Sequence, residues 1–196
     1  MLAALVTAAA AHEIRPAIAD IEVGTGSVRL EISLTLEPLV AGMDLQGLED
    51  TDAAPDAERY DRLRALPPDE LRAAFDAAWP EIRDGIRLRA GAAPVTPEIA
   101  RLVIPPVGDL DLPRDSRLSL VAALPQGRAP VIFGWAPEYG PVVLRQQGTD
   151  AEEGYTGYLT DGQDSAPIPR DAVAEDTALA AFGRYVLIGF DHIVPK

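Results

Sequence analysis

The chain has 196 residues, which is enough for one domain with a sizeable hydrophobic core. Its 31 acidic and 17 basic residues give a net charge of −14, so nucleic acid and anionic lipid headgroups are poor partners. There is no cysteine, which excludes disulfide bonds, thiolate metal ligands and cysteine nucleophiles.

The first eleven residues have the character of a signal peptide. Leu2 to Ala10 is an apolar run, and Ala9-Ala10-Ala11 satisfies the small-x-small rule for cleavage before His12. The run is too short to cross a bilayer, which needs about 20 apolar residues. We therefore interpret residues 1–11 as a signal-peptide remnant and expect the protein to be exported. The alternative is a buried, alanine-rich first helix.

The next segment predicts a β-hairpin. Residues 18–23 and 28–36 alternate apolar and polar side chains, which is the period of half-buried strands. Gly24-Thr25-Gly26-Ser27 joins them as a turn. The residues expected to face the core are Ile18, Val28, Leu30, Ile32, Leu34 and Leu36.

An acidic loop over residues 43–56 leads into two segments with a helical period, residues 57–65 and 69–84. Five apolar residues of the second segment share one face, which we interpret as packing on the core. They are Leu71, Phe75, Ala78, Trp79 and Ile82. Pro80 is expected to kink or end the last turn of this helix.

Strand character returns in five segments separated by proline and glycine turns. These are residues 85–90, 99–104, 117–124, 131–136 and 142–146. Many short strands with such turns indicate a mainly β fold, an immunoglobulin-like antiparallel β-sandwich with an inserted helical segment at about residues 57–84. The domain is expected to span residues 12–181, and the acidic stretches 149–153 and 161–176 are expected to be exposed.

The sequence does not favour an enzyme. The chain has two histidines, His12 and His192, and each is near a chain end, a poor place to orient a catalytic base. Ser165 lacks the flanking glycines of a nucleophile elbow. Pairs of carboxylates are expected by chance among 31 acids, so a hydrolase of unrecognised type is the least favoured class.

His12 is the main candidate metal ligand. Cleavage after Ala11 makes it the first mature residue, so its amine and imidazole can chelate one ion, with Ni(II) or Cu(II) as the candidates. Cleavage one or two residues earlier makes His12 the second or third mature residue, and both positions also suit these ions. Glu13 can add a carboxylate oxygen as a further ligand. The alternative is a histidine that happens to follow a signal peptide. Asp109-Leu110-Asp111 and residues 161–164 lack a full calcium ligand series, and we interpret them as solvated turns.

The C-terminal residues 182–196 form an apolar segment that breaks off at Asp191-His192. A free terminus of this composition needs a surface to pack against. We therefore expect the domain to continue at its C-terminus into another part of the protein.

Several short segments together resemble the extracytoplasmic domain of the HupE/UreJ-like family of membrane proteins. They are Ala11-His12-Glu13-Ile14-Arg15-Pro16-Ala17, Ile82-Arg83-Asp84-Gly85-Ile86-Arg87-Leu88, Phe133-Gly134-Trp135 with Gly140 and Leu144, Tyr158-Leu159-Thr160-Asp161-Gly162, and Gly189-Phe190-Asp191-His192-Ile193. The last segment is similar to the family's entry into its first membrane helix, so the resemblance implies that residues 182–196 are the start of the first membrane segment. The resemblance makes His192 the leading histidine of that entry, with the Asp-His pair that follows it in the family lying beyond Lys196.

Members of this family are linked to transport of transition metals, mainly nickel. The resemblance therefore implies an accessory domain of a nickel, cobalt or copper transporter, which captures or presents the metal or a partner. It further implies a periplasmic domain attached to the inner membrane, with the protein's own membrane domain and a periplasmic protein as partners. The main alternative is a structural or protein-interaction domain without a metal site.

Overall fold

The computed structural model describes residues 14–48, 51, 54–148 and 154–170. These residues contain three helices, namely α1 (Glu37–Ala41), α2 (Ala57–Arg64) and α3 (Pro68–Gly85). The nine strands are β1 (Ala17–Val23), β2 (Ser27–Thr35), β3 (Ile86–Ala90), β4 (Ala93–Val95), β5 (Glu98–Val103), β6 (Asp115–Ala123), β7 (Val131–Trp135), β8 (Val142–Gln146) and β9 (Thr156–Leu159). The predicted signal-peptide remnant and the segment 182–196 lie outside the described residues.

The strands form two sheets. The larger has the order β5-β6-β2-β1-β8-β9, and the smaller has the order β4-β3-β7. Neighbouring strands are antiparallel except β1 and β8, which run parallel. Beyond β7, single bridges add Asp164 opposite Gly134 and Ile168 opposite Val131. The predicted mainly β, sandwich-like fold with a helical insertion is confirmed.

One hydrophobic core is shared by both sheets. In β2, Val28, Leu30, Ile32 and Leu34 are buried while the residues between them are half-buried, because successive side chains of a strand point to opposite faces. The buried residues of β3 and β7 belong to the same cluster. The core therefore lies between the sheets, as the alternation in the sequence predicts.

The prediction that Ile18 faces the core is wrong. Ile18 is 37% exposed, whereas Ala17, Ala19, Ile21 and Val23 of the same strand are buried. Ile21 and Val23 together bury more apolar surface than Ile18 does, so they determine which face of β1 turns inward. The two alanines occupy the remaining inward positions.

Both predicted helices of the insertion are present as α2 and α3. Leu71, Phe75 and Ile82 of α3 are buried, and Trp79 is half-buried against the same core. Pro80 does not end the helix, which continues to Gly85. Because Pro80 is exposed, water can satisfy the backbone carbonyl that a proline in a helix leaves without its amide partner.

Helix α1 was not predicted, and a buried ion pair ties it to the rest of the insertion. The Glu37 carboxylate is fully buried, and Arg114 Nη2 lies 2.8 Å from its Oε1. The same guanidinium donates to the carbonyls of Leu63 and Leu66 at the end of α2. Removing either partner would leave a buried charge without compensation.

The sandwich has two distinct ends. One, the helical end, carries Ile14, α1 and the 3-10 turn Pro137–Tyr139. The other, the hairpin end, carries the β1–β2 turn and the loop between β6 and β7. Since β2 has nine residues, these ends are about 30 Å apart.

Candidate functional site

The predicted metal ligands His12, Glu13 and His192 all lie outside the described residues. The described residue nearest to His12 along the chain is Ile14, at the helical end, and the nearest to His192 is Arg170. The contacts around Ile14 and Arg170 describe the two ends of the domain from which the chain continues toward His12 and His192.

Residues 137–140, here called the 137–140 turn, are the neighbours of Ile14. A Cβ added to Gly140 would lie 3.9 Å from Ile14 Cγ2 and 3.4 Å from Leu45 Cβ. The backbone amide of Leu45 donates to the Glu138 carbonyl at 2.9 Å. Ile14 and the loop after α1 thus both lie against this turn.

Tyr139 of the turn closes the end of α3. Its hydroxyl lies 3.2 Å from the carbonyls of Glu81 and Ile82, and the Ile82 carbonyl is among the last four of the helix, which have no amide partner within it. A Cβ on Gly85 would come within 2.3 Å of the Tyr139 ring, so only glycine fits between helix and ring. Tyr139 therefore fixes the turn against the C-terminal end of α3.

The phenol of Tyr139 is held in its neutral form. Burial, as the main cause, and the carboxylates of Glu138, Asp84 and Glu81 together raise its pKa from 10.0 to about 12. Tyr60 shows the same direction: burial raises its pKa, and the nearby Arg64 guanidinium, which lies over its ring at 5.2 Å, opposes the rise. Both phenols remain hydrogen-bond donors at neutral pH.

An arginine pair fastens the segment after β9 to the small sheet. Arg87 Nη2 donates to the Gly162 carbonyl at 3.2 Å and lies 3.5 Å from Asp164 Oδ1, while Arg89 binds the other oxygen of Asp164. Gly134 faces Arg87 across the sheet, and a Cβ there would lie 2.5 Å from Asp164 Oδ1. The absence of a side chain at Gly134 is what lets this clamp form.

Four of the five segments that carry the family resemblance therefore lie close together, and the fifth, residues 189–193, lies outside the described residues. The Cβ position of Gly140 is 3.9 Å from Ile14 Cγ2, Gly134 pairs with Arg87, and Arg87 binds Gly162. The remaining link is made by Pro137, whose Cδ lies 3.1 Å from the Cβ position of Gly162. Residues as far apart along the chain as Ile14 and Gly162 thus belong to one contiguous unit at the helical end.

Behind Ile14 and Arg15 a small open cavity of about 40 Å³ enters the core. Its wall includes Trp135, which is 2% exposed and whose Nε1 donor has no acceptor among the described residues. Trp135 is held by Phe133, with ring centroids 6.2 Å apart, and by the edge of Tyr139 at 5.3 Å. The Trp135 ring therefore forms part of the cavity wall, while its Nε1 is buried away from the open space.

The chain leaves the described domain at the opposite end. Residues 164–168 run beside β7 toward the hairpin end, where Arg170 Nη1 donates to the carbonyls of Pro125 at 2.7 Å and Gly127 at 2.8 Å. Ile14 and Arg170 are therefore separated by the length of the sandwich. A single metal site holding both His12 and His192 would require residues 171–191 to return along about 30 Å.

The loop between β5 and β6 exposes an unusual amount of apolar surface. Val103, Val107, Leu110 and Leu112 are between 40% and 58% exposed. The Asp111 amide donates to Asp109 Oδ1 at 3.0 Å, which shapes the tip as a local turn. Asp109 thus has a structural role in this loop, in line with its interpretation as part of a solvated turn.

Ser165 also has a structural role. It is buried, its hydroxyl accepts a hydrogen bond from the Phe133 amide, and it donates to the Ala166 carbonyl. The expectation that residues 161–176 are exposed is thus wrong for Ser165 and for Ile168, which is also buried.

Among the described residues, no group of three or more histidine, aspartate or glutamate side chains is arranged to hold a metal ion. No helix in this part of the chain is both long and apolar enough to cross a membrane.

Comparison with protein-family models and with curated proteins finds no match for this chain. The residues that build the helical end were recognised only in part from the sequence. Arg15 and Trp135 belong to segments that carry the resemblance, but neither they nor Tyr139 were predicted to line a cavity, because it is assembled from segments distant along the chain.

Proposed function

We propose that the chain is the periplasmic accessory domain of a HupE/UreJ-like membrane transporter for nickel, cobalt or copper. In this role it captures the metal at the outer face of the inner membrane and presents it to the membrane domain, without catalysing a reaction. The proposed ligands are the mature amine, the His12 imidazole and the Glu13 carboxylate. His192 belongs to the membrane entry and not to the capture site.

The observation that carries the proposal is the meeting of the resembling segments at the 137–140 turn. The resemblance rests on short motifs that are scattered along the sequence. Their contacts through Gly140, Gly134 and Arg87 make them parts of one structural unit. Unrelated chance matches have no reason to adjoin one another, so this convergence supports the family assignment.

The electrostatics of the helical end also support metal capture there. His12 is two residues from Ile14, so covalent geometry keeps their Cα atoms within about 7 Å of each other. Around the turn lie Glu138, Asp44 and Asp161, the last two hydrogen-bonded to Gln46 at 2.9 and 3.3 Å. Carboxylates near this exit raise the local concentration of divalent cations.

Calorimetry on the chain that begins at His12 tests the proposal. This form should bind one Ni(II) or Cu(II), with an affinity that falls as the pH drops through the histidine titration range near about 6.5, since protons compete for both nitrogens. The form that begins at Met1 should bind much more weakly, because its amine is far along the chain from His12. His12→Ala should abolish the tight site.

Glu98→Gln provides the matched control, since it removes one exposed carboxylate at the far edge of the large sheet. It should leave the affinity unchanged. Equal binding by the His12 form, the Met1 form and His12→Ala would mean that the ion is held by the negative charge alone, and the proposed capture site would be wrong.

The second candidate function is a protein-interaction domain without a metal site. The exposed apolar loop that includes Val107, Leu110 and Leu112 favours it, because a solvated loop seldom needs this much apolar surface. Metal binding that is independent of His12 would make this candidate the better account of the domain.

A further inference from the structure

We propose that the helical end of the domain docks on the lipid bilayer through residues 104–112, here called the docking loop. Its apolar side chains would enter the membrane interface and turn the helical end toward the membrane. The inference rests on the proposed function in one respect, which is the attachment of the chain to a membrane through residues 182–196. It does not depend on metal capture.

The exposed apolar surface of the domain is collected at the helical end. Six large hydrophobic side chains in the described part of the chain are at least 37% exposed, namely Ile18, Val103, Val107, Leu110, Leu112 and Tyr158. The pairing register places Ile18, Val103 and Tyr158 in one row across the outer face of the large sheet, near the start of β1. The other three lie beyond this row, in the docking loop. Apolar surface gathered at one end of a domain is typical of a contact surface.

The docking loop presents its side chains on a stiff base. Pro105 and Pro106 fix two backbone torsions at its start. Just after its end, Arg114 is held by the Glu37 carboxylate and by two carbonyls at the end of α2. A loop that is already ordered loses little conformational entropy when its side chains enter another apolar phase.

The length of chain after the domain makes the bilayer the favoured occupant of this surface. Residues 171–181 can span up to about 36 Å, which exceeds the length of about 30 Å of the sandwich. The chain can therefore leave at Arg170, return along the domain and enter the membrane at the helical end. Since the attached domain then has the bilayer beside its exposed apolar side chains, docking needs no further protein. It would also place the proposed capture site next to the membrane surface.

The charge of the docking loop determines which lipid it accepts. Asp109 and Asp111 flank Leu110, and the whole chain carries −14. Docking must therefore rest on apolar contact, and anionic headgroups should weaken it. Zwitterionic phosphatidylcholine is the favoured class of lipid, and docking on it should change little with salt.

The test uses the full chain, which has no cysteine, so that one environment-sensitive dye can be attached at a chosen position. Gly108→Cys carries the dye at the loop tip, where an added Cβ meets nothing within 4 Å. Arg128→Cys carries it at an exposed position of the hairpin end. Protein-free phosphatidylcholine vesicles are added without metal. The emission of the Gly108→Cys dye should shift to shorter wavelength, and that of the Arg128→Cys dye should not.

Replacing both Leu110 and Leu112 by serine in the Gly108→Cys protein tests the apolar contact. The double substitution should weaken docking about tenfold or more, because two exposed apolar side chains no longer leave water. Gln126→Ser, at an exposed position of the hairpin end, should leave docking unchanged.

Sedimentation of the chain with the vesicles measures attachment through residues 182–196 separately from docking. Sedimentation without a shift of the Gly108→Cys dye would mean that the loop serves a protein partner or none, and the proposal would be wrong. An equal shift of the Arg128→Cys dye, or tighter docking on phosphatidylglycerol vesicles, would also overturn it. Because no metal is added, none of these outcomes bears on metal binding at His12.

Discussion

Tyr139 shows how a single side chain holds the helical end together. Its hydroxyl donates to carbonyls in the last turns of α3, and its ring fills the space that Gly85 leaves open. The same ring makes an edge-to-face contact with Trp135. Ionisation of this phenol would turn the donor into an acceptor facing two carbonyls and would repel them.

Tyr139 should therefore make the stability of the domain sensitive to alkaline pH. Its folded-state pKa of about 12 is above the unfolded value of 10.0, so its contribution is complete below pH 10 and is lost as the pH rises toward 12. A difference of two units between the folded and unfolded pKa corresponds to at most about 2.7 kcal/mol of unfolding free energy. Solvent screening at this half-buried ring lowers that figure. Tyr139→Phe should cost about 1 kcal/mol at neutral pH and show a weaker alkaline loss.

Urea unfolding of both proteins between pH 8 and pH 12 measures this difference. Tyr158→Phe is the matched control, because Tyr158 is 59% exposed on the outer face of β9. It should follow the unaltered protein at every pH. Parallel curves for Tyr139→Phe and the unaltered protein through pH 12 would show that Tyr139 does not cause the alkaline loss.

At the level of elements, helix α3 covers the core with one face, and the side chains on that face are buried to different extents. Phe75 is fully buried, while its neighbour Trp79 is only partly buried, with ring centroids 5.6 Å apart. The helical period predicts both residues on the inward face but not how far each enters. How deeply each side chain is buried depends on the sheet beneath the helix, and the helical period of the sequence carries no information about that sheet.

Phe75→Ala should be the more damaging of two substitutions on this face. It removes a fully buried ring and leaves a cavity, at a cost of about 3–5 kcal/mol. Trp79→Ala should cost about 2 kcal/mol or less, because part of the ring already contacts water. Arg72→Ala breaks only an exposed pair with Asp76 and should change stability by less than about 0.5 kcal/mol.

Thermal unfolding of the three variants ranks these costs. The melting temperature of Phe75→Ala should be well below that of Trp79→Ala, and the melting temperature of Arg72→Ala should be close to that of the unaltered protein. A greater loss for Trp79→Ala than for Phe75→Ala would contradict the depths assigned to the two rings.

Elements with long, regular patterns could be predicted from the sequence, and short ones could not. Strand β2 and helix α3 extend over nine and 18 residues, which is enough for a clear period. Helix α1 has five residues, and β4 and β9 have three and four. These are fixed by tertiary contacts such as the Glu37–Arg114 pair, for which a single sequence gives no signal.

The candidate site was less predictable than the fold for a related reason. The sequence identifies His12 and Glu13 by their position after a cleavage rule, without reference to folding. The cavity of Trp135 and Arg15 exists only because α1, β2, β7 and the 137–140 turn close around it. Contacts between distant segments decide that geometry, and local patterns do not encode them.

At the level of the whole molecule, the two ends of the sandwich have different roles in the proposed function. The described residues begin with Ile14 at the helical end, near the cavity, and end with Arg170 at the hairpin end. The proposed capture site would therefore lie about 30 Å from Arg170, the last described residue before the proposed membrane segment. Metal captured at the helical end would need the domain to bend or dock before delivery.

The position of the bound metal tests this account most directly. Cu(II) is paramagnetic and broadens the NMR signals of nearby nuclei, so substoichiometric Cu(II) added to the chain that begins at His12 reports where the ion resides. The account predicts that the amides of Ile14, Glu138, Tyr139 and Gly140 lose intensity first, while those of Gly127 and Arg170 keep theirs. Early loss at the hairpin end, or loss spread over exposed carboxylates with none at the 137–140 turn, would contradict it.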